Sequence, residues 1–429
     1  MTWQLAPEVL ADVAIWGGLA LMVFGLLKMI SLPMAAFVEA QAAWRRRHSP
    51  RARHRRHSRY EDRPRVSVIV PAYNEGPVLV NCVNSLVGSD YDRLEIVIVD
   101  DGSTDDTAAV ATRLAQEHTQ VLLITQANAG KGAALNRGIA AAGGDVLFFV
   151  DADGIFAPGT IGEMLRGFDH PDVGAVCGDD RPVNLNRVQT RMLAILNHAG
   201  TGLVRRALAL AGVLPIVSGN VGAFTRDVVE EVGGFDESTI GEDLELTWRV
   251  HRAGYRVRFQ PAALVYAESP STWRTLWRQR VRWARGLLQT MRLHRDMIGN
   301  PRFGLFGLYL GVNTLSMVVM PMVQLVVLAC LPFAFAVGEP AFTGSAASVI
   351  GWLGLAMSVL VVVYAVLLNR SPRDLRHLWT LALWPIYSTV MAAVVVSALW
   401  LELRGGPAKW HKMQRTGVVS VPVGHAARA

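Results

Sequence analysis

Four short runs decide the fold: VSVIVPA (66–72), EIVIVDD (95–101), VLLIT (121–125) and DVLFFVDAD (145–153). Each is rich in β-branched residues and almost continuously apolar, the pattern of a strand covered on both faces in a parallel sheet. Between them lie segments that read as helices: 77–87, 104–118 with Ser103 or Thr104 as N-cap, and 131–142. Alternation of strand and helix specifies a doubly wound α/β sheet. Ligands of such sheets bind beyond the carboxyl ends of the strands. Those ends carry Tyr73-Asn74-Glu75, Asp100-Asp101-Gly102-Ser103 and Asp151-Ala152-Asp153, so polar residues gather where a site should lie.

The runs sit within a chain of 429 residues that is 51% hydrophobic and 18% charged, with a mean hydropathy of +0.28. Soluble domains carry about 25% charged residues. The deficit excludes disorder and argues against an ordinary soluble enzyme. Three cysteines far apart, Cys82, Cys177 and Cys330, exclude a disulfide framework and a cysteine-based zinc site, and they suit a reducing compartment. The net charge of +7 comes from one stretch. Eight arginines between Arg45 and Arg59, with no acid among them, leave the rest of the chain at −1. The basicity is therefore local, and without interleaved aromatics it is not a nucleic-acid face.

Residues 9–38 are apolar and long enough to span a bilayer, which takes about 20 residues. They lack the basic start and small-residue cleavage site of a signal peptide, so they read as a retained anchor. The arginine run follows directly, and basic residues beside a span stay cytoplasmic. That places the N-terminus outside and the next domain in the cytoplasm. The run itself serves as a solvated tether or as a contact for anionic membrane lipid. From 303 onward the chain is apolar again, in segments 305–337, 347–368 and 378–401. Arg370, Arg373 and Arg376 hold the last linker in the cytoplasm, which two crossings satisfy. Arg404, Lys409, Lys412 and Arg415 want the same side. Either 378–401 lies in or re-enters the membrane, or 305–337 is a hairpin broken at Pro321. Arms of about 16 residues are too short to cross, which favours the first. The resulting divisions are an anchor at 1–38, a basic linker at 39–63, an α/β domain at 64–270, an interfacial helix region at 271–302, a membrane region at 303–403 and a cytoplasmic tail at 404–429.

Several polar groups have spacing suited to chemistry. Asp151 and Asp153, two residues apart at a strand end, can share one divalent cation with phosphate oxygens, as Mg²⁺ or Mn²⁺ prefers. Asp101 can accept the imide N–H of uracil, or cap the helix that follows. Gly130-Lys131-Gly132 opens a helix whose N-terminus favours phosphate, although the chain has no Walker A loop. Glu242 and Asp243 start another helix, where an acid pair either complements the dipole or supplies a general base. Gln279, Arg282 and Trp283 stand at i, i+3 and i+4 on a basic, aromatic helix from Trp273 to Arg295. Arg282 can grip a phosphate with two hydrogen bonds, and Trp283 offers a flat platform for a sugar ring. The same helix also suits a membrane surface.

Taken in order, VSVIVPAYNE, VIVDDGSTD, GKGAALN, DAD, GED and QRVRW resemble the family 2 inverting glycosyltransferases. They resemble most the membrane-embedded synthases of cellulose, hyaluronan, chitin oligosaccharides and poly-N-acetylglucosamine. The resemblance covers about residues 64–290 and implies a GT-A-type nucleotide-sugar-binding domain set between membrane helices. It implies that Tyr73 and Asp101, with Glu75 close by, hold uridine, that Lys131 lies near the diphosphate, and that Asp151 faces the nucleotide-sugar. Asp153 is then the metal ligand, for Mg²⁺ or Mn²⁺. Asp243, beside Glu242, is the general base, and Gln279, Arg282 and Trp283 match the QxxRW motif. Trp410 and Arg415 are similar to a loop that closes over the nucleotide-sugar. The implied activity is transfer from a UDP-sugar to a growing β-linked polysaccharide, with secretion through the protein's own membrane segments. The alternative is a non-processive transfer of one sugar to a lipid carrier or glycolipid. Residues 218–236 are most similar to poly-N-acetylglucosamine-type synthases, which favours UDP-GlcNAc. The implied setting is the plasma (inner) membrane, crossed several times, with room for an accessory subunit or a homo-oligomer.

Overall fold

The computed structural model describes residues 5–48, 63–337, 345–405, 415 and 417–420. Helix α1 (Leu5–His48) carries the helical path past residue 38 into the first arginines. An eight-stranded sheet follows, in the order β3-β2-β1-β4-β7-β6-β8-β5. Its first half is the parallel unit expected from the four apolar runs. Strands β1 (Val66–Ala72), β2 (Leu94–Asp101), β3 (Val121–Gln126) and β4 (Val146–Phe149) pair in parallel. Helices α2 (Gly76–Val87), α3 (Thr107–Glu117) and α4 (Lys131–Ala141) connect them.

Alternate residues of these strands face opposite cores, which is why the runs are apolar throughout. Val66, Val68 and Val70 pack on one side of the sheet. Ile69, Val97 and Val99 pack on the other.

The second half of the sheet is mixed, with antiparallel strands beyond the four runs read from the sequence. Strand β5 is short (Ile155–Phe156), β6 is Val173–Pro182, β7 is Gly222–Thr225 and β8 is Arg256–Ala267. Strand β7 runs antiparallel to both β4 and β6, and β5 runs antiparallel to β8. Four-residue and two-residue strands carry too little pattern to show direction. The expected cap of α3 is corrected. Its N-cap is Asp106, without a side-chain cap bond. Ser103 and Thr104 are used elsewhere: Asn74 N–H donates to Ser103 Oγ (2.9 Å), and Thr104 N–H donates to Asn74 Oδ1 (2.7 Å).

Helix α5 (Glu242–Arg252) precedes β8, and the long amphipathic α6 (Trp273–Leu293) follows it. Then come α7 (Gly304–Thr314), a π-helical turn at Leu315–Val319, and α8 (Met320–Ala336). The helical path is unbroken through Pro321, so 305–337 is not a hairpin. Proline there sits in the first turn of α8, where its missing N–H is least costly. Helix α9 is Ser345–Leu368, and a 3₁₀ stretch, Pro372–Leu383, leads into α10 (Trp384–Leu403).

Four described segments are long and apolar enough to cross a membrane: Pro7–Ala42, Pro301–Ala336, Val349–Leu368 and Pro372–Leu403. Their packing fixes relative direction. Lys28 donates to Ser316 (2.8 Å), while Ala11 and Ala14 meet Cys330 and Ala334, so α1 and α8 are antiparallel. Ser358 lies against Met29 and Ala365 against Ala36, so α9 runs parallel to α1. Helix α10, within the fourth candidate span, packs on α8, where Gln324 Nε2 donates to Ser388 Oγ (2.8 Å). It also packs along α6, and its last turn is tied there by an Arg285–Glu402 ion pair (2.6 Å). Thirteen positions further on, Arg415 pairs with Asp153. Arg415 thus lies among the strand-end acids.

Candidate active site

The carboxyl ends of β1, β2 and β4 form one polar rim, and each loop there is held by its neighbour. Asn74 adopts a left-handed backbone (φ 55°) and its side chain binds the β2–α3 loop. Glu75 N–H donates to Thr107 Oγ1 (2.7 Å). Gly102 (φ 71°) lets that loop press on the next one: a Cβ there would lie 2.7 Å from the Asn128 nitrogen, a contact only glycine allows. Asp101 is buried and its carboxylate accepts from Gln126 Nε2 (2.8 Å), Ala129 N (2.9 Å) and Gly130 N (2.9 Å). Three of about four acceptor positions are thereby used, so Asp101 shapes the loop before α4 and keeps one position for a ligand. Tyr73 is half-buried on the same rim.

Lys131, the first residue of α4, stands at the centre of the acids. Its ammonium bridges Asp151 (2.7 Å) and Glu242 (2.9 Å). Burial works against that charge, but Asp151, Glu242 and Asp243 outweigh it and hold the lysine above its ordinary pKa. The acid pair of α5 is split in role. Glu242 faces Lys131. Asp243 Oδ2 accepts from Gly219 N–H (3.1 Å), and its Oδ1 accepts from Leu244 N–H (2.8 Å). Burial raises the Asp243 pKa and the Glu242 charge adds to this, against Lys131 and the two backbone donors. A carboxyl raised this way is a stronger base than a solvated one. Below the pair lies a small cavity with an apolar floor, formed by Leu135, Phe149, Val217, Phe224 and Phe235.

Asp153 is buried at the other end of the rim. It accepts from Glu268 N–H (3.0 Å), and Arg415 grips both of its oxygens (2.9 and 3.0 Å) while also donating to Glu268 O (3.1 Å). Burial raises the Asp153 pKa and Arg415 opposes this. Arg415 Nε is buried and finds no acceptor among the described residues.

Whether this donor set suits a divalent cation follows from its chemistry. Among the described residues no group of three or more His, Cys, Asp or Glu could hold a metal by itself. Asp151 and Asp153 are hard oxygen donors, each matched by a cationic side chain, Lys131 and Arg415. Two carboxylates fit a Mg²⁺ or Mn²⁺ ion that completes its shell with diphosphate oxygens and water.

The QxxRW residues lie on α6. Gly286, three residues beyond Trp283, packs directly on Gly241: a Cβ on either would come within 2.9 Å of the other's Cα. Gln279, Arg282, Trp283 and Gly286 share one helix face, so the motif's face is the one docked against the turn that starts α5. Gln279 Oε1 is buried without a partner among the described residues, and the Arg280 guanidinium lies 4.1 Å from the centre of the half-exposed Trp283 ring. Trp410 lies outside the described residues. Sequence reasoning missed Glu268, Gly219 and Glu402. Glu268 directly follows β8, so its place beyond a strand end was a usable signal. Gly219 acts through its backbone N–H and leaves no signal in side-chain pattern.

A mixed sheet with strand-end acids, a lysine at a helix N-terminus and flanking apolar helices defines a GT-A-like sugar-transferring fold. The family model described as glycosyltransferase-like family 2 matches residues 64–286, and the chain belongs to that family. The chain is 32% identical over 246 residues to the poly-β-1,6-N-acetyl-D-glucosamine synthase of Staphylococcus aureus (strain COL), covering 57% of this chain and 59% of that protein. It is 36% identical over 231 residues to the probable glycosyltransferase YdaM of Bacillus subtilis (strain 168), covering 52% and 55%. The chain thus matches little more than half the length of these relatives. A solved mannosyltransferase, PcManGT from Pyrobaculum calidifontis in complex with GDP-Man and Mn²⁺, shares the fold. Its TM-score is 0.57 at 24% identity, over 89% of this chain and 99% of that one.

Proposed function

We propose that the protein is an inverting glycosyltransferase that adds sugars from UDP-GlcNAc to a growing β-linked polysaccharide. In this reading the catalytic domain is cytoplasmic and the membrane helices of a plasma (inner) membrane carry the polymer out. The observation that carries the reading is the Asp243 carboxylate. It is half-buried, held by two backbone N–H groups, and placed where the QxxRW helix docks on its turn. The similarity to a poly-β-1,6-N-acetyl-D-glucosamine synthase supports the donor and the polymer.

The mechanism follows from charge. Asp243 accepts the proton of an acceptor hydroxyl. The freed oxygen attacks the anomeric carbon from the face opposite the leaving group. A new C–O bond forms as the bond to UDP breaks, and an α-linked donor gives a β product. UDP departs with the bonding electrons, and Arg282 and Lys131 offset the charge that develops. Asp151 and Asp153 would hold the divalent cation, which when bound supplies positive charge to the diphosphate. Arg415 holds Asp153 in the structure, and its unused Nε–H is a donor suited to a phosphate oxygen. Arg415 therefore binds the nucleotide side of the site while it holds Asp153.

Arg415→Ala is expected to lower turnover at least tenfold while the protein still inserts and unfolds cooperatively. Wild-type turnover in that variant would remove Arg415 from the mechanism. The donor and product are tested by incubating purified protein with single radiolabelled UDP-sugars and sizing the products. UDP-GlcNAc is expected to give chains of many sugars. A product carrying one added sugar, on a lipid, would instead establish the non-processive alternative.

A further inference from the structure

Helix α10 (Trp384–Leu403) contains one charged residue, Glu402, in its last turn. A carboxylate among apolar side chains is costly unless it is paired and hydrogen-bonded. Glu402 has both forms of support, and both come from α6. Its Oε1 accepts from Arg285 Nε (2.6 Å) and from Gln289 Nε2 (3.1 Å). Arg285 is itself buried, so the ion pair is strongly placed.

The consequence lies at the other end of the Gln289 amide. With Nε2 committed to Glu402, its Oε1 points at the turn before the acid pair. It accepts from Ile240 N–H (3.2 Å) and from Thr239 Oγ1 (3.3 Å). Thr239 Oγ1 in turn accepts from Gly241 N–H (3.2 Å). Gly241 is the N-cap of α5, and it touches Gly286 of α6. Asp243 follows two residues later. A chain of contacts thus runs from the end of a membrane-region helix, through one amide, to the turn that aims the base. Without Glu402 the amide's orientation rests on the Ile240 N–H alone, because the Thr239 hydroxyl can donate or accept, and a flipped amide would set its NH₂ against that N–H, donor to donor.

We propose that Glu402 is a positioning residue for Asp243, acting through Gln289 and the Thr239–Gly241 turn. The proposal rests on Asp243 being the base. It predicts a loss in the chemical step alone, because no member of the chain contacts the nucleotide rim. Glu402→Ala is expected to lower kcat roughly tenfold, with the KM for UDP-GlcNAc and the Kd for UDP unchanged within twofold. Glu402→Gln keeps an acceptor for Gln289 and should recover most of the rate. Gln289→Met removes the same link from the other side and should show the same loss. Because both act through one chain, the double variant Glu402→Ala/Gln289→Met should be no slower than either single one.

Wild-type kcat in Glu402→Ala would overturn the proposal. So would additive losses in the double variant, or a parallel fall of kcat and UDP affinity, which would mark a general packing defect. If Glu402→Ala does not fold, Gln289→Met alone decides by the same criteria. Asp243→Asn measured alongside separates the two levels: activity in that variant refutes the base itself. An inactive Asp243→Asn beside a normal Gln289→Met refutes only the positioning chain.

Discussion

Asp243→Asn is expected to abolish transfer while leaving UDP binding close to wild type. The asparagine keeps the shape of the side chain, and its amide oxygen still accepts from Gly219 N–H, so the turn should stand at the loss of the one bond from Leu244 N–H. It cannot take a proton. General base catalysis typically contributes 10²–10⁴-fold, and the loss should fall on kcat, because proton removal matters to the transition state and not to nucleotide affinity. Rate measurement with UDP-GlcNAc, together with calorimetric titration of UDP, checks both halves. Turnover within tenfold of wild type would show that another group is the base.

Removal of divalent cations is expected to have the second large effect. The diphosphate must approach Asp151 and Asp153, and without a cation that approach sets like charges together. Lys131 is committed to Asp151 and Glu242, and Arg415 to Asp153, so two cations meet three acids and the rim stays net negative toward a diphosphate. EDTA should therefore reduce UDP release to background, with recovery on addition of excess Mg²⁺ or Mn²⁺. Asp153→Asn should show the same deficit at saturating cation. Full activity in EDTA would show that the two acids serve the fold and not a metal.

The parallel half of the sheet was legible because burial on both faces leaves runs such as EIVIVDD with no polar position until the strand ends. The same physics made the site legible, since Glu75, Asp101, Asp151, Asp153 and Lys131 all stand at strand ends or at a helix start. The second half was not legible. Strands of two and four residues carry no usable period, and β7 takes its direction from its pairing with β4 and β6. The partners of Asp153 were hidden for a different reason. Arg415 lies more than 250 positions away in sequence, and no local pattern announces its contact with a strand-end acid. Composition marked 378–401 as apolar, but the Arg285–Glu402 pair that ties its end to α6 joins residues more than a hundred positions apart. Ser103 and Thr104 had the chemistry of helix caps, but Ser103 Oγ accepts from the Asn74 backbone N–H and Thr104 donates to the Asn74 side chain instead.

The central claim is inverting transfer driven by Asp243, and the anomeric configuration of the new bond tests it most directly. Purified protein given UDP-GlcNAc, an α-linked donor, should form a product whose new glycosidic linkages are β, as read from anomeric proton couplings by NMR. A product with α linkages would contradict the account.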